Sequence, residues 1–268
     1  MLSVIVANYN KEKYVMECLD SILDQTFKDL EIVVYDDGSS DGSMAVIEDF
    51  AQRHPRTIQV MHDPVNQGVA FARHQAILAA RGEYLVTLDS DDFFCNPRKL
   101  EKEFALVQKV EKEERKQIMA FSNVMLLKDG EPPCIWGEPG KIRQGMIVCE
   151  IISRSCFIPR DFIMRREWYS QAGGYDIRIK IYEDWDLKVR LAMKHEFRFT
   201  GDVGTAYRRH GLGLSSVPPR EHIHWLKQVF NKNFPLVEPR RRHEIKIEFD
   251  RFLADMEIKS APIATQRK

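Results

Sequence analysis

The sequence predicts an α/β fold, a mostly parallel sheet flanked by helices of the Rossmann-like kind, with a less regular second half and C-terminal helices. Three observations carry this. Short β-branched runs alternate with helical patterns over the first 90 residues, as βαβ units require. Polar clusters, two of them acid-rich, stand directly after three of those runs, where open α/β sheets bind their ligands. An apolar share of 44%, with 15 Phe, 8 Tyr and 4 Trp in 268 residues, suffices for a buried core and excludes global disorder.

Taken in order, Ser3 to Ala7 reads as a buried strand, and Lys11 to Gln25 as a helix with Val15, Leu19, Ile22 and Leu23 on one face. Glu31 to Asp36 is a second strand, and Asp41 is placed to cap a helix carrying Val46, Ile47 and Phe50. Ile58 to Met61, Val69 to Ala80 and Tyr84 to Leu88 follow as strand, helix and strand. Pro97 to Glu114 is a helix whose end runs into the charged stretch Lys109 to Lys116, read as a solvated face. Beyond it, strands are expected at Met119 to Leu127 and Met146 to Ile152, with a Pro/Gly-rich loop from Gly130 to Gly140 between them. Helices are expected at Asp184 to Lys194, Glu221 to Asn231 and Glu244 to Ile258, and a loose tail at Lys259 to Lys268.

Charge narrows the partners. Forty Lys and Arg balance forty Asp and Glu, so the bulk attraction used by nucleic-acid binders is missing and nucleic acid is not expected. The longest apolar runs, such as Ile118 to Leu127, are too short to cross a bilayer. No basic leader precedes the first strand, so no signal peptide is expected, and five cysteines without a C-x-x-C fit a reducing cytoplasm. Arg240-Arg241-Arg242 is read first as a solvated face and second as a contact for anionic lipid at the inner face of a membrane.

Three clusters bear on chemistry. Asp89-Ser90-Asp91 offers alternate carboxylates to a hard divalent cation, against the bland reading that Asp91 and Asp92 cap a turn; taken alone, the two readings are even. In Asp36-Asp37-Gly38-Ser39-Ser40-Asp41, turn chemistry explains Gly38, Ser39 and Asp41. The adjacent acids repel, and at a ligand edge one is better explained by accepting from a base N–H or a ribose hydroxyl. Glu183-Asp184 opens a helix, where acids favour the dipole; the functional reading makes Asp184 a general base with Glu183 tuning it. His210 is a surface residue on the bland reading and a nitrogen ligand for manganese on the other.

Together, Ser3 to Asn10, Ser21-Ile22-Leu23-Asp24-Gln25-Thr26, Asp36 to Asp41, Asn66-Gln67-Gly68, Ala72-Arg73, Ala80 to Tyr84, Asp89 to Asp92, Gly173-Gly174-Tyr175-Asp176 and Glu183-Asp184 resemble, in order, the family 2 glycosyltransferases of the GT-A fold. The resemblance spans residues 3 to about 216. It implies a catalytic domain over 1–216, with a nucleotide-sugar half at 1–115 and an acceptor half at 116–216, followed by a helical extension and tail at 217–268. By the same resemblance Ala7 and Tyr9 border a uracil, Asp37 accepts from its N3–H, and Arg73 lies near the nucleotide. Asp89 and Ser90 lie on the ribose or sugar side, Asp91 and His210 hold Mn2+ or Mg2+ on the diphosphate, and Asp184 is the base. Tyr175 and Trp185 fall on the acceptor side, where an indole face would suit a sugar and a buried core tryptophan is the equal alternative. Ala7 stands where Pro or Thr is commonest, and Trp185 is a second departure. The implied activity is metal-assisted, inverting transfer from a UDP-sugar to a hydroxyl of a saccharide, lipid-linked or protein acceptor, in polysaccharide or glycoconjugate synthesis. The alternatives are an inactive nucleotide-sugar-binding protein and a sugar nucleotidyltransferase, the latter disfavoured because Ala7-Asn8-Tyr9-Asn10-Lys11 has no glycine.

Overall fold

A computed structural model describes residues 1–136, 139–210 and 217–260. Strands β1 (Leu2–Asn8), β2 (Leu30–Asp37), β3 (Ile58–Asp63) and β4 (Tyr84–Asp89) run parallel, and the short antiparallel β8 (Met164–Arg165) completes a sheet of order β3-β2-β1-β4-β8. Register places Asn8 level with Asp36, and Ala7 level with Asp89, so the acid-bearing ends of β2 and β4 finish along one edge on either side of β1.

The two-residue alternation of the strands divides the core. Val4, Val6 and Val34 face α1 (Val15–Leu23) and α2 (Ser43–Arg53), meeting Leu19, Ile22, Ile47 and Phe50. Ile5, Val33 and Tyr35 face the other way, onto the alanine-rich α3 (Val69–Ala79). At the opposite edge Gly82 comes so close to β1 that an added Cβ would stand 2.5 Å from Ser3 Oγ, and its N–H donates to that hydroxyl. Ser3 in turn donates to the buried Glu31.

After β4, a second sheet forms from β5 (Phe93–Phe94), β6 (Ile118–Lys128), β7 (Cys134–Trp136) and β9 (Glu196–Arg209), in the order β5-β9-β6-β7. The helix α4 (Lys99–Glu114) leads into β6 and buries Leu100, Val107 and Val110. The long β9 pairs in parallel with β6 and carries its last residues back to the acid-bearing edge. Helices α5 (Val148–Ile152), α6 (Arg166–Gln171) and α7 (Glu183–Ala192) form the other wall.

Helices α8 (Pro219–Asn233) and α9 (Arg242–Ser260) pack behind that wall, in the same buried cluster as α7. Phe230 and Phe249 stack with centroids 3.9 Å apart, and Phe249 also stacks on Trp185. Among the described residues no helix is long and apolar enough to cross a membrane.

Several local expectations change. Residues 148–152 are helical rather than extended; a short apolar run does not distinguish the two by periodicity, and here Gly145 takes the bridge to Phe197 instead. The expected loop from 130 to 140 contains β7, whose Trp136 stacks on Phe157. The first helix begins at Val15, after a turn, and Gly42 rather than Asp41 is the cap of α2, although Asp41 still accepts from the Ser43 N–H. Most of the expected tail, 261–268, lies outside the described residues.

Truncating Phe249 to alanine removes a ring that is 2% exposed and joins α9 to α8 and α7. The unfolding free energy should fall by about 3–5 kcal/mol in urea titrations, whereas a loss below about 1 kcal/mol would place α9 outside the cooperative core.

Candidate active site

The acid-bearing strand ends open on a cavity of about 1130 Å³, walled by the loop after β1, the start of α3, the end of β4, the turn into α7 and the end of β9. Ala7, Tyr9, Asp37, Arg73, Asp89, Ser90, Asp91, Glu183, Asp184, Trp185 and His210 all line it. Tyr175 does not.

At the end of β2, turn chemistry accounts for Asp36, whereas Asp37 is held by backbone donors some thirty residues on. Asp36 accepts from Asn8 Nδ2 at 2.7 Å and from the Ser39 N–H and hydroxyl. Asp37 accepts from the Gln67 and Gly68 N–H groups at 2.8 and 2.7 Å, tying β2 to the start of α3. Burial pushes the Asp37 carboxyl up, against those two bonds.

The end of β4 sits in a lattice of opposite charges. Arg73, 3% exposed on α3, binds Glu183 with one guanidinium nitrogen and Asp89 with another. Asp89 also faces Arg160 Nε at 2.9 Å, and Arg160 reaches on to Asp92 while lying over the Tyr207 ring. Burial pushes Asp92 up to about 8, and Glu183 up to about 6, in each case against the facing arginine. Both carboxylates are therefore built into the wall, Asp92 also by the Arg208 N–H.

Asp91 differs. Its Oδ2 meets Lys11 Nζ and His210 Nε2, each at 2.9 Å, and His210 stacks on Tyr14. Burial opposes its charge, but Lys11, Arg160 and His210 hold its carboxyl below the usual range. Carboxylate oxygens of Asp89, Asp91 and Asp92 lie within 4.8 Å of one another. Carboxylate oxygens so placed suit a hard divalent cation, and an imidazole nitrogen beside them suits Mn2+ better than Mg2+. With Asp92 fixed in the wall, Asp91 and His210 are the pair that fits.

Asp184 lies across the cavity in the first turn of α7. Tyr182, in left-handed backbone at φ 69°, turns the chain so that Glu183 goes inward to Arg73 and Asp184 stays 26% exposed. Its Oδ2 accepts from Lys188 Nζ at 2.7 Å, one helical turn on, and Lys188 also donates to the Ile158 carbonyl. Burial works against the Asp184 charge, yet Lys188, Arg73 and Arg160 hold it well below the usual carboxylate range, ionised at neutral pH.

Two acceptor-side expectations are corrected. Trp185 is 1% exposed, donates its indole N–H to the Ile151 carbonyl at 2.7 Å and stacks on Phe249, so its rings belong to the core. Tyr175 is 5% exposed and lies beneath Arg73. Lys11, Arg160 and Lys188 are site residues that sequence reasoning passed over. Lys188 had a legible signal, four residues after Asp184 on one helix face; Arg160 had none, because it comes from an irregular segment.

Comparison with known proteins follows the same lines. An uncharacterized protein of Mycobacterium tuberculosis is 28% identical over 221 residues, 80% of this chain and 60% of that protein, so the chain spans about three fifths of such relatives. TarS of S. aureus, residues 1–349 in complex with UDP-GlcNAc, superposes with a TM-score of 0.74 at 21% identity, over 92% of this chain and 71% of that one. The mannosyltransferase PcManGT of Pyrobaculum calidifontis, in complex with GDP-Man and Mn2+, gives 0.66 at 22% identity, over 92% and 68%. At these identities the likeness speaks to the fold, which is that of the GT-A glycosyltransferases. Residues 3–171 match the family described as Glycosyl transferase family 2, and the chain belongs to that family.

Proposed function

We propose that the protein transfers a glycosyl group from a nucleotide-sugar, in the first instance a UDP-sugar, to an acceptor hydroxyl with inversion at the anomeric carbon, assisted by a divalent cation, in polysaccharide or glycoconjugate synthesis. The observation that carries this is the convergence of Asp37, Asp91 and Asp184 on one cavity. Binding of UDP-GlcNAc by TarS and of GDP-Man with Mn2+ by PcManGT supports the donor class.

Each side chain has a task on this reading. Ala7, Tyr9 and Asp37 border the nucleobase, and Asp37 keeps acceptor capacity because each carboxylate oxygen takes more than one bond. Asp91 and His210 hold the cation, which when bound supplies Lewis-acid neutralisation of charge on the departing diphosphate. Arg73 and Arg160 fix Asp89 at the sugar side, so the site is organised before the donor arrives. Among the described residues only Oδ2 of Asp184 is engaged, which leaves Oδ1 to take the acceptor proton. Attack from that side, opposite the diphosphate, inverts the anomeric carbon without a nucleophilic carboxylate. Glu183 acts through Arg73 as a positioning residue.

The deciding experiment is a screen of nucleotide-sugars for cation-dependent UDP release, together with Asp184→Asn. Transfer should fall by about 10²–10⁴ in that variant while UDP-sugar affinity holds; full activity would remove Asp184 from the role of base. Asp91→Ala should weaken UDP binding more than about tenfold in Mn2+ and far less in EDTA, read by calorimetry; equal affinity in both media would end the metal role.

Lys188→Gln gives a pH test. Asp184 works ionised, so the acid limb of kcat reports its carboxyl. Removing the ammonium that holds this carboxyl low should move that limb to higher pH, and an unmoved limb would separate Asp184 from the profile.

A further inference from the structure

The cations of the cavity are not alike. Lys11, Arg73, Arg160, Lys188 and Arg208 each meet a carboxylate. Arg154 and Arg209 also line the cavity, and among the described residues neither meets any carboxylate or donates a side-chain hydrogen bond. A partly buried guanidinium carries five N–H donors whose hydration is curtailed, and leaving them without a partner is costly.

Both side chains are instead held on aromatic faces. The Arg154 guanidinium carbon stands 5.5, 5.2 and 5.4 Å from the ring centroids of Tyr182, Trp185 and Phe252. That of Arg209 stands 4.7 Å from Trp136. Such contacts fix the plane of a guanidinium while leaving its N–H edge open. Arg154 also has φ 62°, just past the end of α5, a position where glycine is the usual residue. An arginine there bears a backbone cost.

Both stand toward the base side of the cavity. Arg154 lies over Tyr182, which directly precedes Glu183 and Asp184. Trp136, beneath Arg209, stacks on Phe157, next to the Ile158 whose carbonyl accepts from Lys188, the partner of Asp184. The other side has its own cations, since Lys11 meets the Asp91 carboxylate and Arg208 donates to the Asp91 carbonyl at 2.8 Å.

Resting on the proposed transferase reading, we infer that Arg154 and Arg209 form an anion subsite for the acceptor, so that the acceptor carries a phosphate or carboxylate near its reacting hydroxyl. Planar guanidinium forks match either oxyanion by paired N–H···O bonds. The site then selects acceptors by charge as well as by shape, and holds the hydroxyl toward Asp184 through the neighbouring anionic group.

The test uses the full chain saturated with UDP and Mg2+, with methyl phosphate, methyl glucuronide and methyl glucoside as probes, followed by calorimetry and tryptophan fluorescence. At least one anionic probe should bind about tenfold or more tightly than the glucoside, and whichever binds better identifies the oxyanion. In the double variant R154Q/R209Q that preference should vanish, with UDP affinity changed less than about twofold. R154K/R209K, which keeps both charges, should recover most of it, as a purely structural role would not. The single variants carry the same comparison if the double variant does not fold. Equal binding of all three probes by the wild type would overturn the inference. So would a parallel loss of UDP affinity, which would assign the arginines to the donor diphosphate. If the wild type binds methyl phosphate through both arginines but never binds UDP, the transferase reading fails, and the assignment to an acceptor falls with it.

Discussion

The alternation of charge from Glu183 through Arg73, Asp89 and Arg160 to Asp92 is the constraint on which the site rests. It joins α7, α3, the end of β4 and the segment at residue 160, which are distant in sequence and share no main-chain ladder. Charges this deep are tolerated only when each has an opposite neighbour, so loss of any one member leaves another stranded. The chain's neutral total is consistent with this, because the cations around the cavity are largely committed to internal acids rather than presented to solvent.

The network also sorts carboxylates of identical chemistry into different tasks. Asp92 and Glu183 each meet an arginine guanidinium through one oxygen and are pushed up by burial. Asp91 and Asp184 are met by lysines instead, through Lys11 and Lys188, and both are held low. A lysine offers a compact charge on a flexible stem, which can yield when a ligand arrives, whereas an arginine whose planar fork spans two carboxylates is a more rigid partner. The acids assigned to the cation and to the acceptor proton are the ones with the yielding partners.

Much of the parallel core was legible because its two periodicities are strong: Val4 and Val6 against Ile5 within one strand, Leu19 and Ile22 within one helix. The acids after β2 and β4 were legible because strand ends in such sheets face a ligand edge. What was not legible depends on partners remote in sequence. Trp185 reads equally as platform or core until Phe249, sixty-four residues on, is found against it. Residues 148–152 fold as a helix because they dock on α7, which local propensity does not record. Arg160 enters from a segment without pattern, and its two acids cannot be guessed from its neighbours.

The pairing of β9 with β6 has one irregular stretch: from Phe121 to Val124 the one strand advances three residues while its partner advances six, from Phe199 to Thr205. Downstream of it, Arg208 points to Glu17 and the Asp91 carbonyl, and Arg209 to Trp136. Since side chains alternate along a strand, shortening that excess by a single residue would exchange the two arginines between faces and turn His210 away from Asp91. The slack in the ladder is therefore a setting of phase, deciding which wall of the cleft each of three consecutive basic side chains serves.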